Sequence, residues 1–264
     1  MNFSPYANGL RTMLVIVSLC AGLPCAPPSA ARTLAEVKAL GAISMCANPD
    51  ALPFASDRAD SPGFQIELGR EIAKALGVSL TTEWILPRRR ASTVNCDMLF
   101  DSVNDPEVHE GPMLLSRPYH KSSIALGLSP GASPVRDYRE IETGRKVGVL
   151  INSLASVVLG KRGVSTSPYV FESDLVADLV KGDLYGGAVS SNTISYYIFR
   201  HPNSGLRLVH AFESEPELTW EVSVGLRQSD AALLDAVNKA LSTLLADGTV
   251  TRIYARYGIE HRVP

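Results

Sequence analysis

The sequence predicts an α/β fold in two lobes, each a mostly parallel sheet flanked by helices, with two hinge strands joining them. Three observations predict it. Short apolar strands alternate with amphipathic helices, first from "AISMC" to "CDMLF" and again from "RKVGVL" onward, and such alternation builds parallel sheets. Two long extended stretches, near 121–128 and 220–227, lie where the chain would cross between lobes. The C-terminal stretch is helical and would return to the first lobe. The expected division is 32–124 plus 226–264 for lobe one and 125–225 for lobe two.

Each element has its own warrant. "LAEVKALG" reads as a short helix closed by Gly41, followed by the strand "AISMC". In 64–77, Phe64, Ile66, Leu68, Ile72, Ala73 and Leu76 form a broad helical stripe, with Gly77 as the stop. "VSLTTEWI" and "CDMLF" are strand-like, and 101–120 is irregular, rich in turn-formers. "KSSIALGLS" is the first hinge strand. In the second series, "RKVGVL" leads into a helix with Asn152 or Ser153 as N-cap. "SPYVFES" is a strand, "DLVADLVKGD" a helix, "GGAVSS" a buried strand and "NTISYYIFRHP" a helix stopped by Pro202. "LRLVHAF" and "LTWEVSVGLR" are strands, and the final helical stretch breaks near Gly248.

The chain has 264 residues, 45% hydrophobic and 20% charged, with a net charge of -2, enough to bury a core without metals. That balance excludes the concentrated basic face that nucleic acid requires. Arg88-Arg89-Arg90 is too short to supply one and reads as a solvated loop or helix start. At the N-terminus, Arg11, the apolar run "MLVIVSLCAGL" and the small-residue exit "PCAPPSAA" describe a signal peptide over 1–31. The run is shorter than the about 20 residues that span a bilayer, so an exported protein, not an integral membrane protein, is expected. Export leaves Cys46 and Cys96, which suggest one disulfide; separately buried thiols are the alternative.

The order of motifs resembles the type II periplasmic solute-binding proteins, the family 3 extracellular solute-binding proteins. The residues that carry it are Pro53-Phe54, then Gly63-Phe64 with Glu67, "LLSRPYHKSSIAL" and "KVGVLINS". A narrower match, on "CANPDALPF", Trp84 with Pro87-Arg88-Arg89, Cys96-Asp97 and "WEVSVGLRQSD", is similar to the MxaJ/XoxJ-type accessory proteins of quinoprotein methanol dehydrogenases. Two departures from that branch stand out: only 88–95 separate Pro87 from Cys96, and Tyr185 replaces the usual Asp. The narrower resemblance implies an accessory factor of a dehydrogenase that uses pyrroloquinoline quinone, acting by docking and not by catalysis, with the dehydrogenase subunit as partner. The broader one implies a receptor that presents a small polar or anionic solute to an ABC permease.

Cleft residues follow. Asn48 and Asp50 lie beyond a strand's C-terminal end, where open α/β sheets place ligands. Phe54 offers a stacking face or a loop anchor, and Trp84 an aromatic surface. Ser116, Arg117 and Tyr119 approach the hinge, and Arg117 is the cation best placed to hold an anion. Asn152 and Ser153 expose backbone donors at a helix start, and simple N-capping is the competing role. Ser191 and Asn192 complete the set. An amino-acid reader needs an arginine for the carboxylate. The corresponding "NDPEVHEG" has none, and the acid for the ammonium should fall near 190–193, where none is present. An amino acid is therefore disfavoured. The five histidines show no metal or nucleophile spacing, and no phosphate or dinucleotide motif occurs, so neither catalysis nor a cofactor is expected.

Overall fold

The computed structural model describes residues 32–85, 96–105, 107, 113–212, 215–227 and 229–264. The expected signal peptide and the Arg88–Arg90 run lie outside the described residues.

The first unit opens with α1 (Leu34–Leu40), held by a Thr33/Glu36 capping box and closed at Gly41 in the left-handed region. Strand β1 (Ala42–Ala47) follows, then a small hairpin of β2 (Asp50–Ala51) and β3 (Ala55–Ser56). Helix α2 (Phe64–Ala75) buries the whole expected stripe, Phe64, Ile66, Leu68, Ile72, Ala73 and Leu76, against the sheet. Strands β4 (Ser79–Trp84) and β5 (Met98–Val103) flank β1 in parallel, with Ala47 opposite Trp84 and Cys46 opposite Leu99. The Cys46–Cys96 disulfide ties β1 to the residue leading into β5. Beside it the Asp97 carboxylate accepts from Ser44 N at 2.7 Å and pairs with Arg32.

After β6 (Met113–Leu115), the hinge strand β7 (His120–Leu128) enters the second unit. That unit contains β8 (Val147–Leu150), α3 (Leu154–Lys161), β9 (Thr166–Tyr169), α4 (Glu172–Lys181), β10 (Gly186–Ser190), α5 (Ser191–Arg200) and β11 (Arg207–Val209). Strand β12 (Thr219–Arg227) returns antiparallel to β7, from Thr219 opposite Ser123 to Val222 opposite His120. Helices α6 (Ala231–Ala246) and α7 (Thr249–Arg256) end the chain, with Gly248 at φ +75° making the break between them.

Among the described residues the main sheet runs β4-β1-β5-β12-β7-β10-β8-β9. The β12 pairings with β5 and β7 are antiparallel, so the sheet is mixed and continuous through the hinge. Hydrophobic burial segregates. One core joins β1, α2, Met98 and Tyr119 to Val222, Val224, α6, α7 and Ile259. Two others, on opposite faces of the second lobe's part of the sheet, lie between Ile124 and Leu218. β12 thus gives Val222 and Val224 to the first core, although they precede residue 226. An aromatic column holds the hinge to the first core: the Tyr254 ring lies 4.6 Å from Phe64 and 4.5 Å from His120, and His261 stacks on His120 at 5.6 Å. Burial lowers the His120 pKa to about 3.

Candidate functional site: the strand ends of the two lobes

The proline-studded loop after β1 is a cap for α2. Phe64 N donates to Pro53 O at 2.9 Å and Gln65 N to Phe54 O at 3.0 Å, so loop carbonyls satisfy the helix's first amides. This needs Gly63: its φ is +92°, and a Cβ there would lie 2.4 Å from Phe54 O. Phe54 packs 5.2 Å from Phe64, as a loop anchor. Asn48 and Asp50 are exposed at the loop's start, where Asn48 Oδ1 accepts from Asp50 N at 3.0 Å. Glu67, the acid of the Gly-Phe motif, accepts from Tyr257 Oη at 2.7 Å and pairs with Arg256, so it serves packing of α7.

The cap aims Gln65 at the second half of β5. Gln65 is buried, and its Nε2 donates to Asp101 Oδ2 at 2.7 Å. Asp101 stands in the left-handed region at φ +56°, and its N–H donates to Tyr119 Oη at 3.3 Å. Burial raises its carboxyl from 3.8 to about 7, against the opposing hydrogen bonds of Gln65 and Tyr119. Asp101 Oδ1 is buried with no hydrogen-bond partner among the described residues. Sequence reasoning singled out Tyr119 but missed Asp101 and Gln65. The available signal was a glutamine inside an apolar helical stripe.

The second lobe ends its strands differently. Asn152, at φ +56°, turns the chain after β8. Ser153 caps α3: its Oγ accepts from Ser156 N at 3.1 Å and donates to Leu150 O at 2.7 Å. One expectation is corrected here. An acid does reach 190–193: Glu172, the first residue of α4, accepts from Ser190 N at 2.7 Å and from Thr193 Oγ1 at 2.9 Å. It arrives from 18 residues upstream, across parallel strands, and burial raises its pKa. Ile151, Leu154, Val157, Val170 and Phe171 are exposed around these strand ends and the start of α3.

The remaining residues are placed elsewhere. Ser116 Oγ accepts from Val224 N at 2.9 Å and donates to the Arg117 carbonyl at 2.8 Å. Arg117 is tied to α6, its N donating to Asn238 Oδ1 at 2.6 Å and its Nη1 to Ser242 Oγ at 2.7 Å. Trp84 is exposed at the end of β4. Ser191 and Asn192 are buried at the start of α5, where they line a recess facing the C-terminal segment. Among the described residues no cluster of His, Cys, Asp and Glu is suited to a metal, and no helix is long and apolar enough to cross a membrane.

Comparison with known proteins agrees with the two-lobed fold. The profile of the bacterial extracellular solute-binding proteins, family 3, matches residues 43–260. The chain is 27% identical over 264 residues to the lysine/arginine/ornithine-binding periplasmic protein of Escherichia coli (strain K12), covering 94% of this chain and 97% of that one. It is also 27% identical over 248 residues to the membrane-bound lytic murein transglycosylase F of Pseudomonas savastanoi pv. phaseolicola, but it spans only 47% of that longer protein. In structure it is similar to an ancestral cationic amino acid solute-binding protein, with a TM-score of 0.70 and 19% identity over 85% of this chain and 98% of that one. The chain belongs to the bacterial extracellular solute-binding proteins, family 3, and has their two-lobed type II periplasmic-binding fold.

Proposed function

We propose that the protein is an exported, periplasmic receptor that takes up a small polar solute between its lobes and presents it to an ABC permease. The observation that carries this reading is the Gln65–Asp101–Tyr119 group. It places a buried carboxyl oxygen without a partner at the C-terminal edge of a parallel sheet, where a ligand donor would complete the hydrogen bond. Glu172 and the turn at Asn152–Ser153 are the matching groups of the second lobe. The Escherichia coli relative, named for binding lysine, arginine and ornithine, supports a solute of that size. With Glu172 beside 190–193, half of the objection to an amino acid is gone, and amino acids join the solutes to test. The two groups of cores support the division into 32–124 plus 226–264 and 125–225, with β7 and β12 shared. A cleaved signal over 1–31 belongs to the same proposal.

The test is thermal unfolding against a panel of amino acids, polyamines and organic acids. A ligand at 100 times its Kd adds about 2.7 kcal/mol. For a chain of this length that raises Tm by roughly 5–10 °C. A panel without any shift would refute the receptor reading.

A second reading, an accessory factor docking to a quinoprotein dehydrogenase, has one observation in its favour: the exposed apolar residues Ile151, Leu154, Val170 and Phe171. It stands behind the first because the residues at 46–54 that suggest it also cap α2 and close the disulfide, roles internal to the fold. Recovery of such a dehydrogenase on co-purification would reverse the order.

A further inference from the structure

A recess of about 560 Å³ lies between α5, β11 and the C-terminal segment 258–262, and it shares no lining residue with the Gln65–Asp101–Tyr119 group. Its walls come from different cores. Ile259 belongs to the first core, whereas Leu206 is in, and Ile198 and Leu208 pack against, a core of the second lobe. The close approach of the two sides is built in. Gly258 turns at φ +68°, and a Cβ there would lie 2.3 Å from Phe199 Cβ. The volume is that of a small-molecule site.

One polar group of its lining is a buried donor. Asn192 is 1% exposed, lines the recess, and its Nδ2 has no hydrogen-bond partner among the described residues. Beside it stands His120, whose Nδ1 accepts from Arg262 N at 3.3 Å. The proton of that neutral ring is therefore on Nε2, and the ring shares a side-chain hydrogen bond with Asn192. Asn192 Nδ2 is thus a buried donor in the recess without an acceptor, a costly arrangement unless something supplies one. The side chains of Arg207 and Arg262 add positive charge against the single carboxylate of Glu260.

We propose that this recess is a second binding site, bridging the two lobes, for a small amphipathic anion: an acidic group held by Asn192 and the two arginines, and an apolar body against Phe199, Leu206 and Leu208. The site is separate from the one assigned to the transported solute and does not depend on that assignment.

The probe is 8-anilinonaphthalene-1-sulfonate, with the uncharged N-phenyl-1-naphthylamine as its comparison, added to the folded full chain. The expected result is one saturable sulfonate site per chain with blue-shifted emission, and binding of the uncharged analogue weaker by about tenfold or more, the loss expected for a charge-assisted hydrogen bond. Ser195→Trp, which fills the recess, should abolish the signal. Arg207→Glu, at an exposed position, reverses the charge and also removes the hydrogen bond to Ala132 O, and should weaken it by a similar factor. Equal binding of the two probes overturns the anion assignment. Binding that survives both substitutions with unchanged Tm, or that Phe171→Ser removes instead, overturns the site.

Discussion

At the end of the first lobe's sheet a carboxyl group is buried among polar partners, whereas at the end of the second lobe's sheet Ile151, Leu154, Val170 and Phe171 are turned outward. Both edges obey the same rule, that strand C-termini carry the loops that meet a ligand. They differ in how the loops are held. The first edge is preorganised: a disulfide at its root, a capped helix behind it, and Gln65 and Tyr119 fixing Asp101. On the second, Ser153 and Glu172 cap helix starts, which places backbone amides and exposed apolar surface at the rim. In the receptor reading, specificity would belong to lobe one, and contact area to lobe two. A carboxyl group held by buried donors discriminates by hydrogen bonding more sharply than an apolar surface can.

The largest break of this contrast is at the root of the first edge. The Cys46–Cys96 bond closes a loop of 50 residues. Removing that constraint by reduction, or in the Cys46→Ser/Cys96→Ser variant, should cost about 4 kcal/mol on the chain-entropy account. Urea unfolding with and without reductant measures it, and an unchanged midpoint would show that the edge is held without the bond.

The next effect depends on pH. The Asp101 carboxyl, near 7 when folded, lies above its ordinary value of 3.8. Between those values the folded chain keeps a proton that the unfolded chain has released, so this group's contribution to stability falls as pH rises, and its full cost is present above pH 7. Asp101→Asn removes that cost and keeps a residue that tolerates φ +56°. The variant should match the parent near pH 4 and exceed it by about 1–3 kcal/mol at pH 8. Stability profiles with the same slope for both proteins would mean that Asp101 is not buried as a neutral acid. In the receptor reading the same variant loses solute binding, which separates a recognition role from a purely structural one.

What the sequence made legible was local. The 3.6-residue stripe of α2, the glycine stops at 41 and 248, and the two hinge strands follow from periodicity and backbone freedom, and the structure has them. The region 101–105, full of turn-formers, concealed the second half of β5, because Asp101 bends within a strand and the turn-forming composition dominates the reading. Val170 and Phe171 made "SPYVFES" read as one strand, although α4 already starts at Glu172. Gln65 and Asp101 are 36 residues apart, and Glu172 and Ser190 are 18 apart. No spacing rule announces either pair. They meet only because parallel strands bring their C-terminal ends to one edge.

The smallest effect on stability carries the sharpest test of the second edge. Phe171 is 64% exposed and precedes α4 without a side-chain cap bond. Phe171→Ser therefore removes little burial and adds a good N-cap residue, so stability should change by no more than about 0.5 kcal/mol. Its effect on function separates the two uses of the apolar rim. If the rim supplies contact area to a solute between the lobes, the variant weakens the ligand-induced rise in Tm. The unliganded Tm stays where it was. If the rim is a docking face for a protein, the solute response is unchanged and co-purification of the partner is lost. A variant silent in both assays would mean that the second lobe's apolar surface takes no part in recognition, and that the first edge carries it alone.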